Sequence, residues 1–146
     1  MFYKKQLPKA KKELKDIDTN IEILILFNSK KISNNVVKRW EIGRGVNGGK
    51  IGEYRSSEYK AFKVSKNPRA NGSVDLTLTG SLGDKIFINP IGDLFEIKSK
   101  DYKFMDMGEK YGFEQFNLTS SETNELIQEL YYKIMEEYTL NVWQKL

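Results

Sequence analysis

Between Ile21 and Ile42 apolar side chains return close to every 3.6 residues: Ile21, Leu24, Ile25, Ile32, Val36, Val37 and Trp40 lie along one stripe, with Asn28 on the same side. Steps of three and four set one face of an α-helix against a core. Thr19 and Glu22 stand at its start as T-x-x-E, a capping box in which each side chain satisfies an amide at the new N-terminus. One helix is therefore predicted from there to about Ile42, with Ser33 to Asn35 as the place where it would divide.

The period changes downstream. Val74, Leu76 and Leu78 alternate with Asp75, Thr77 and Thr79, the pattern of a half-buried strand. "KIFIN" and "LFEIKS" predict two further strands, joined by "PIGD" with Pro90 and Gly92 placed to reverse the chain. Between helix and strands, "SSEYKAFK" reads as one or two helical turns closed by a turn at "KNPRANG". "DYKFMDMGEKYGFEQF" predicts a short helix carrying Tyr102, Met105 and Tyr111, ended by Gly108 or Gly112. Thr119 to Glu122 is a second T-x-x-E box, and Leu126, Leu130, Ile134 and Tyr138 follow it at steps of four, flanked by Ile127, Tyr131 and Met135. The expected fold is α+β: an antiparallel β-meander of three or four strands, about Val74 to Ser99, packed against the long helix of the N-terminal half and covered on one face by the C-terminal helix.

With 146 residues the chain supports one core. Residues 19–146 form the expected domain, with a mobile Gly-rich loop at 43–55. Residues 1–18 form a basic helical arm that starts after Pro8, with Leu14 and Ile17 as a thin apolar stripe. The longest apolar run, "IEILILF", is interrupted by Glu22 and too short to cross a bilayer, so no membrane contact is expected. An apolar core and small-residue cleavage site do not follow the basic N-terminus, so the chain is expected to work where it is made.

Cysteine and histidine are both absent, which removes disulfides, thiolate nucleophiles, Cys-based zinc sites and the commonest general base. Carboxylates would have to carry any remaining hydrolytic chemistry, and they do not gather. Glu136 and Glu137 are neighbours whose side chains point about 100° apart on a helix. Asp101 and Asp106 flank an aromatic segment and need a third acid to hold a metal. No catalytic, cofactor or metal residue is assigned.

"GRGVNGGKIGEY" fits G-x-G-x-x-G at Gly43, Gly45 and Gly48. That dinucleotide fingerprint requires a strand before it and a helix after it, whereas here a helix precedes it. The other phosphate loop fails too, since Gly49 stands where Lys is required and Ile51 where Ser or Thr is required. A glycine-permitted loop is the reading that survives.

Charge is unevenly distributed. Residues 1–72 hold 17 Lys and Arg against 7 Asp and Glu, a balance of +10, and residues 73–146 hold 7 against 13, a balance of −6. Such a split suits a basic face for nucleic acid, or opposite faces that attract when copies stack head to tail; the plain alternative is two solvated faces. Lys4, Lys5, Lys9, Lys11 and Lys12 are the candidates to face DNA. Arg39 adds phosphate-binding charge, and Trp40, Arg44, Lys50, Tyr54, Arg55 and Tyr59 are assigned to a subunit or partner interface. A base-reading helix is not evident, so any DNA contact would be with the backbone, non-specific and salt-dependent.

Taken in order, these segments resemble a known family. "VVKRWEIGRGVNGGKIGEYRSSEYKAFK" is similar to the segment of Mu-type virion morphogenesis or tail-completion proteins in which a helix ending in an aromatic residue leads into a Gly- and Asp-rich loop. "LTLTGSLGDKIFI" is similar to that family's T-G-x-L-x-x-S-I signature at Thr79, Gly80, Leu82 and Ile86, with Lys85 where Ser is usual. "FNLTSSETNELIQEL" resembles its F-x-G-L-S-x-x-D/E entry to the last helix, with Asn117 in place of Gly. The related head-tail connector and tail-terminator families share this outline. The resemblance implies a non-enzymatic virion component, assembled in the host cytoplasm as a homo-oligomeric ring at the head-tail neck. Its partners would be other neck or tail proteins such as the connector and tail tube, with the DNA close by. The rival expectation is a nucleic-acid-binding accessory protein using the Lys-rich arm. A Mg²⁺-dependent hydrolase comes third.

Overall fold

The computed structural model describes residues 21–77, 79–91 and 94–143. The basic arm with Lys4, Lys5, Lys9, Lys11 and Lys12, the first capping box at Thr19, Leu78 and the Gly92 turn lie outside the described residues.

The predicted long helix is two segments, α1 (residues 21–27) and α2 (Ser29–Glu41), and it divides at Asn28 rather than at Ser33 to Asn35. The Asn28 side-chain amide donates to the Leu24 carbonyl at 2.8 Å, competing with the helical ladder that its own backbone amide continues, at 3.0 Å to the same oxygen. Ser33, by contrast, folds its hydroxyl back onto the Lys30 carbonyl at 3.1 Å and leaves the helix intact. Ile32, Val36, Arg39 and Trp40 form the buried face of α2. Gly43 closes the helix with φ +66°, a conformation that suits glycine, and a Cβ there would stand 2.9 Å from the Ser73 Cβ.

The glycine loop that follows has its own hydrogen bonds. Gly45 donates to Gly49 at 2.8 Å, Gly48 to Gly45 at 3.0 Å, and Val46 to the Gln115 side-chain oxygen at 3.1 Å. Ile51, within the same loop, is a core residue, so removing the loop would remove part of the core. Helix α3 (Ser57–Lys66) starts at Ser56, whose hydroxyl accepts from the Tyr59 amide at 3.2 Å, and a 3-10 turn (Pro68–Ala70) leads out of it.

The predicted meander is a two-stranded hairpin: β1 (Ile86–Ile91) pairs antiparallel with β2 (Leu94–Ser99), Ile88 opposite Ile97 on the buried side. Pro90 sits in β1 opposite Phe95, a position open to proline because a hairpin strand is an edge. Of the segment expected to supply a further strand, the described residues, 74–77 and 79, form none. Its donors go elsewhere: the Val74 amide to the Gly52 carbonyl at 3.0 Å, and the Asp75 amide to the Tyr54 hydroxyl at 3.1 Å. Residues 73–76 are buried on both sides, so the alternation of apolar and polar side chains does not separate a core face from a solvent face. Between this segment and the hairpin lies a single turn of helix, α4 (Ser81–Asp84).

Helix α5 (Lys103–Tyr111) ends at Gly112, φ +94°, and Gly108 lies inside it under the Phe113 ring. A 3-10 turn (Phe113–Phe116) then delivers Phe116 to the core, where Trp40 meets it edge to face at 5.2 Å and Phe104 at 4.5 Å. Helix α6 (Ser120–Trp143) opens with the predicted capping box: the Thr119 amide donates to Glu122 at 2.7 Å and the Glu122 amide to Thr119 Oγ1 at 3.2 Å. Thr119→Ala is expected to cost about 1 kcal/mol of stability, read as a lower urea midpoint at unchanged slope.

The polar contacts of α6 run toward α1 and α2. Glu129 pairs with Lys31, Glu122 with Arg39 at 2.8 Å, and Lys133 lies 5.4 Å from the Phe27 ring. The hairpin packs against α2, where Val37 closes on Gly83 at the entry to β1. Leu126 is the buried anchor of α6. No helix among the described residues is long and apolar enough to cross a membrane.

Candidate functional site

Four stretches distant in sequence enclose a cleft of about 710 Å³. The end of the glycine loop supplies Tyr54 and Arg55, α3 supplies Tyr59 and Lys63, the buried segment supplies Val74 and Asp75, and α5 supplies Lys103, Met107, Lys110 and Tyr111. The walls are apolar and aromatic, and cations stand on the rim. The volume falls within the range of small-ligand and peptide-anchor pockets.

Lys63 and Asp75 form a buried ion pair at the floor, their side chains 3% and 1% exposed. Asp75 is held further by Asn67 Nδ2 at 3.0 Å and by the Thr77 amide and hydroxyl at 3.3 Å each. Burial pushes the neighbouring Tyr54 phenol up to about 12; the hydrogen bond from the Asp75 amide opposes this, and the negative charge of Asp75 adds to it. Tyr54 is therefore a neutral wall group, T-stacked on Tyr59 at 5.2 Å.

The carboxylates lining the cleft, Glu53 and Asp75, both engage lysines: Glu53 takes Lys50 at 2.6 Å and Lys60 at 3.2 Å. Among the described residues, Arg55, Lys103 and Lys110 have no carboxylate partner. The rim thus carries unbalanced positive charge above an aromatic wall. A shaped basic surface of this kind suits an acidic, partly apolar partner. Bond-making chemistry would need a nucleophile and base in mutual reach, whereas Lys63 and Asp75 hold each other.

Of the residues predicted for an interface, Tyr54, Arg55 and Tyr59 come together in the cleft. Lys50 and Arg44 are exposed on the glycine loop, Lys50 paired with Glu53 and Arg44 donating to the Gly48 carbonyl at 3.1 Å. Trp40 is 0% exposed, its indole Nε1 donating to the Gln115 carbonyl at 3.0 Å, and so presents no surface to a partner. Arg39 must also be withdrawn as a phosphate contact. It is buried, donating to Glu122 and to the carbonyls of Gln115 at 3.0 Å and Asn117 at 2.7 Å, and burial pulls its pKa below the ordinary value against the opposing pull of Glu122.

Asp101 belongs to the frame. Ser81 donates to its carboxylate, the Lys103 amide does so at 3.0 Å and Lys85 at 3.3 Å, tying α4 to the start of α5. Asp106 is exposed, and among the described residues no three acidic side chains gather at metal-binding spacing. The hydrogen bond from Ser81, then that from the Lys103 amide, hold the Asp101 carboxyl down at about 2, against an ordinary value of 3.8. A depressed carboxyl contributes stability above its unfolded value and loses it as pH falls through the folded value. Wild type should therefore lose this contribution between about pH 4 and pH 2, and Asp101→Asn should lack that step in a pH series of thermal melts.

Lys63, Asp75, Lys103, Met107, Lys110 and Tyr111 were not predicted for the site. The one local signal is Lys63 following Tyr59 by four residues, which sets both on the same face of α3. No protein family, curated protein or solved structure significantly matches this chain.

Proposed function

We propose that the chain is a structural subunit that works by self-association, and that its place is the tail-completion ring at the head-tail neck of a tailed phage. The observation that carries the self-association is the outward face of α6. Ile127, Tyr131 and Met135 recur at steps of four along it and are 56%, 59% and 42% exposed, although Leu126 already supplies the buried anchor of this helix. A monomer seldom leaves such a stripe to water, and uncovered apolar stripes mark interfaces. Ile23, Leu26 and Phe27 of α1 are exposed as well. The phage assignment is supported by the motif order from Val36 to Leu130, in which Thr79, Gly80, Leu82 and Ile86 keep their signature spacing.

Light scattering across a concentration series, with particle imaging, tests the reading. Ring-shaped assemblies are expected as concentration rises. A protein that stays monomeric throughout and binds DNA with a steep salt dependence belongs instead to the accessory-protein reading, whose motive is the basic first half of the chain.

A further inference from the structure

The two edges of the hairpin differ. The Lys100 amide donates to the Lys85 carbonyl at 3.1 Å, which makes these residues a bonded pair of the antiparallel ladder. Bonded and non-bonded pairs alternate, so Phe87 with Lys98, Asn89 with Glu96 and Ile91 with Leu94 bond within the hairpin. Ile86, Ile88 and Pro90 of β1, and Phe95, Ile97 and Ser99 of β2, therefore turn their main-chain groups outward. On the β1 edge Pro90 has no amide to offer, and α2 packs against that strand. The β2 edge has neither obstacle. None of helices α2 to α6 packs along β2, and among the described residues no group outside the hairpin bonds to the main-chain amides and carbonyls of Phe95, Ile97 and Ser99. Helix α4 meets Ser99 through its side chain, whose hydroxyl donates to the Leu82 carbonyl at 2.8 Å. Glu96 and Lys98 lie on the face of β2 opposite to Ile97, 46% and 43% exposed and paired at 2.6 Å.

We infer that β2 pairs antiparallel with β2 of a second copy, about a two-fold axis at Ile97. Parity and charge select this register. Outward groups bond only outward groups, so Phe95, Ile97 and Ser99 of one strand must face the same set on the other. An axis at residue 96 would set Glu96 against its own copy, and one at residue 98 would do the same to Lys98. An axis at Ile97 instead sets Glu96 of each copy opposite Lys98 of the other, in the close non-bonded pairs where side chains interact most. A lone lysine on an edge repels a second copy, but a glutamate two residues before it turns that repulsion into attraction. Main-chain bonds then supply the affinity and the charges the register, as in strand addition to a sheet edge. This contact goes beyond the self-association through α6 and uses a different surface. Being isologous, it joins copies, or rings of copies, in pairs.

Hydrogen exchange at low and high protein concentration reads the edge directly. The amides of Phe95, Ile97 and Ser99 should slow as concentration rises, whereas those of Glu96 and Lys98, already bonded inside the hairpin, should not change. Glu96→Lys and Lys98→Glu add charge reversal with rescue; both side chains are exposed, and circular dichroism checks that each variant folds. Either variant alone opposes like charges at the axis and should need about tenfold more protein to pair. Mixed one to one, the two variants oppose unlike charges at both positions, so pairing should return. Damage to the fold would not be repaired by mixing. An associating wild type whose Phe95 and Ile97 amides exchange at one rate at all concentrations, single variants that pair as readily as wild type, or a mixture no better than its parts overturns the β2 contact and leaves association through α6 standing. A wild-type chain that never associates overturns both.

Discussion

Lys63→Met is expected to lower folding stability by about 3–5 kcal/mol, the cost of leaving a buried charge without its partner. The loss should appear in urea denaturation and should not depend on protein concentration. Lys63 reaches Asp75 from α3 across the cleft floor, and both side chains are almost wholly withdrawn from water. Without the ammonium, Asp75 keeps Asn67 and Thr77 as donors, but these are neutral groups and cannot balance a carboxylate in a dry site. Replacing both partners, Lys63→Met with Asp75→Leu, removes the stranded charge and should recover much of the loss. If the single variant loses less than about 1 kcal/mol, water reaches the carboxylate and the floor is wetter than the geometry indicates.

The pair also shows why this region escaped sequence reasoning. A period of two says that a segment is extended and not that it has a strand beside it. In "VDLTLTG" the alternation placed Asp75 on the solvent side, yet that residue faces Lys63, and the backbone donors around it meet Tyr54 and Gly52. Local signals fared better where the physics was local. Thr119 with Glu122 caps α6, Gly112 stops α5, and "KIFIN" with "LFEIKS" forms a hairpin, because each is decided by residues a few positions apart. Asn28 broke the long helix through its own side chain, a competition visible in the residue type but not in the apolar stripe that included it. The cleft was legible only in part. Its residues run from Ile51 to Tyr111, so only tertiary packing brings Lys103 and Lys110 beside Arg55.

The α+β class held while the sheet proved smaller, and that difference bears on function. A hairpin leaves two edges and covers little surface, so helices make most of this fold, and the helix at its C-terminal end carries one apolar face inward and another outward. A sheet of four strands would have offered α6 a floor to cover. Here Leu126 anchors α6 beside α1 and α2, and the outward stripe stays exposed.

Trp40 is where the two readings of one residue separate most sharply, and Trp40→Ala should lower the stability of the monomer by about 3–5 kcal/mol. An aromatic residue beside Arg39 and a glycine loop suits an interface, but Trp40 also follows Val36 by four residues on the buried stripe of α2, and the fold follows the stripe. Its ring fills the space against Phe116, so truncation leaves a cavity and removes an edge-to-face contact. The Gln115 carbonyl that accepts from the indole keeps Arg39 Nη2 at 3.0 Å, so an unsatisfied oxygen adds little to that cost. Trp40→Phe, which keeps an aromatic ring in place, should lose roughly half as much or less. Thermal and urea unfolding at two protein concentrations decide the matter. A loss that is the same at both concentrations is the signature of a core residue, whereas an unchanged monomer that no longer self-associates would put Trp40 back on the interface.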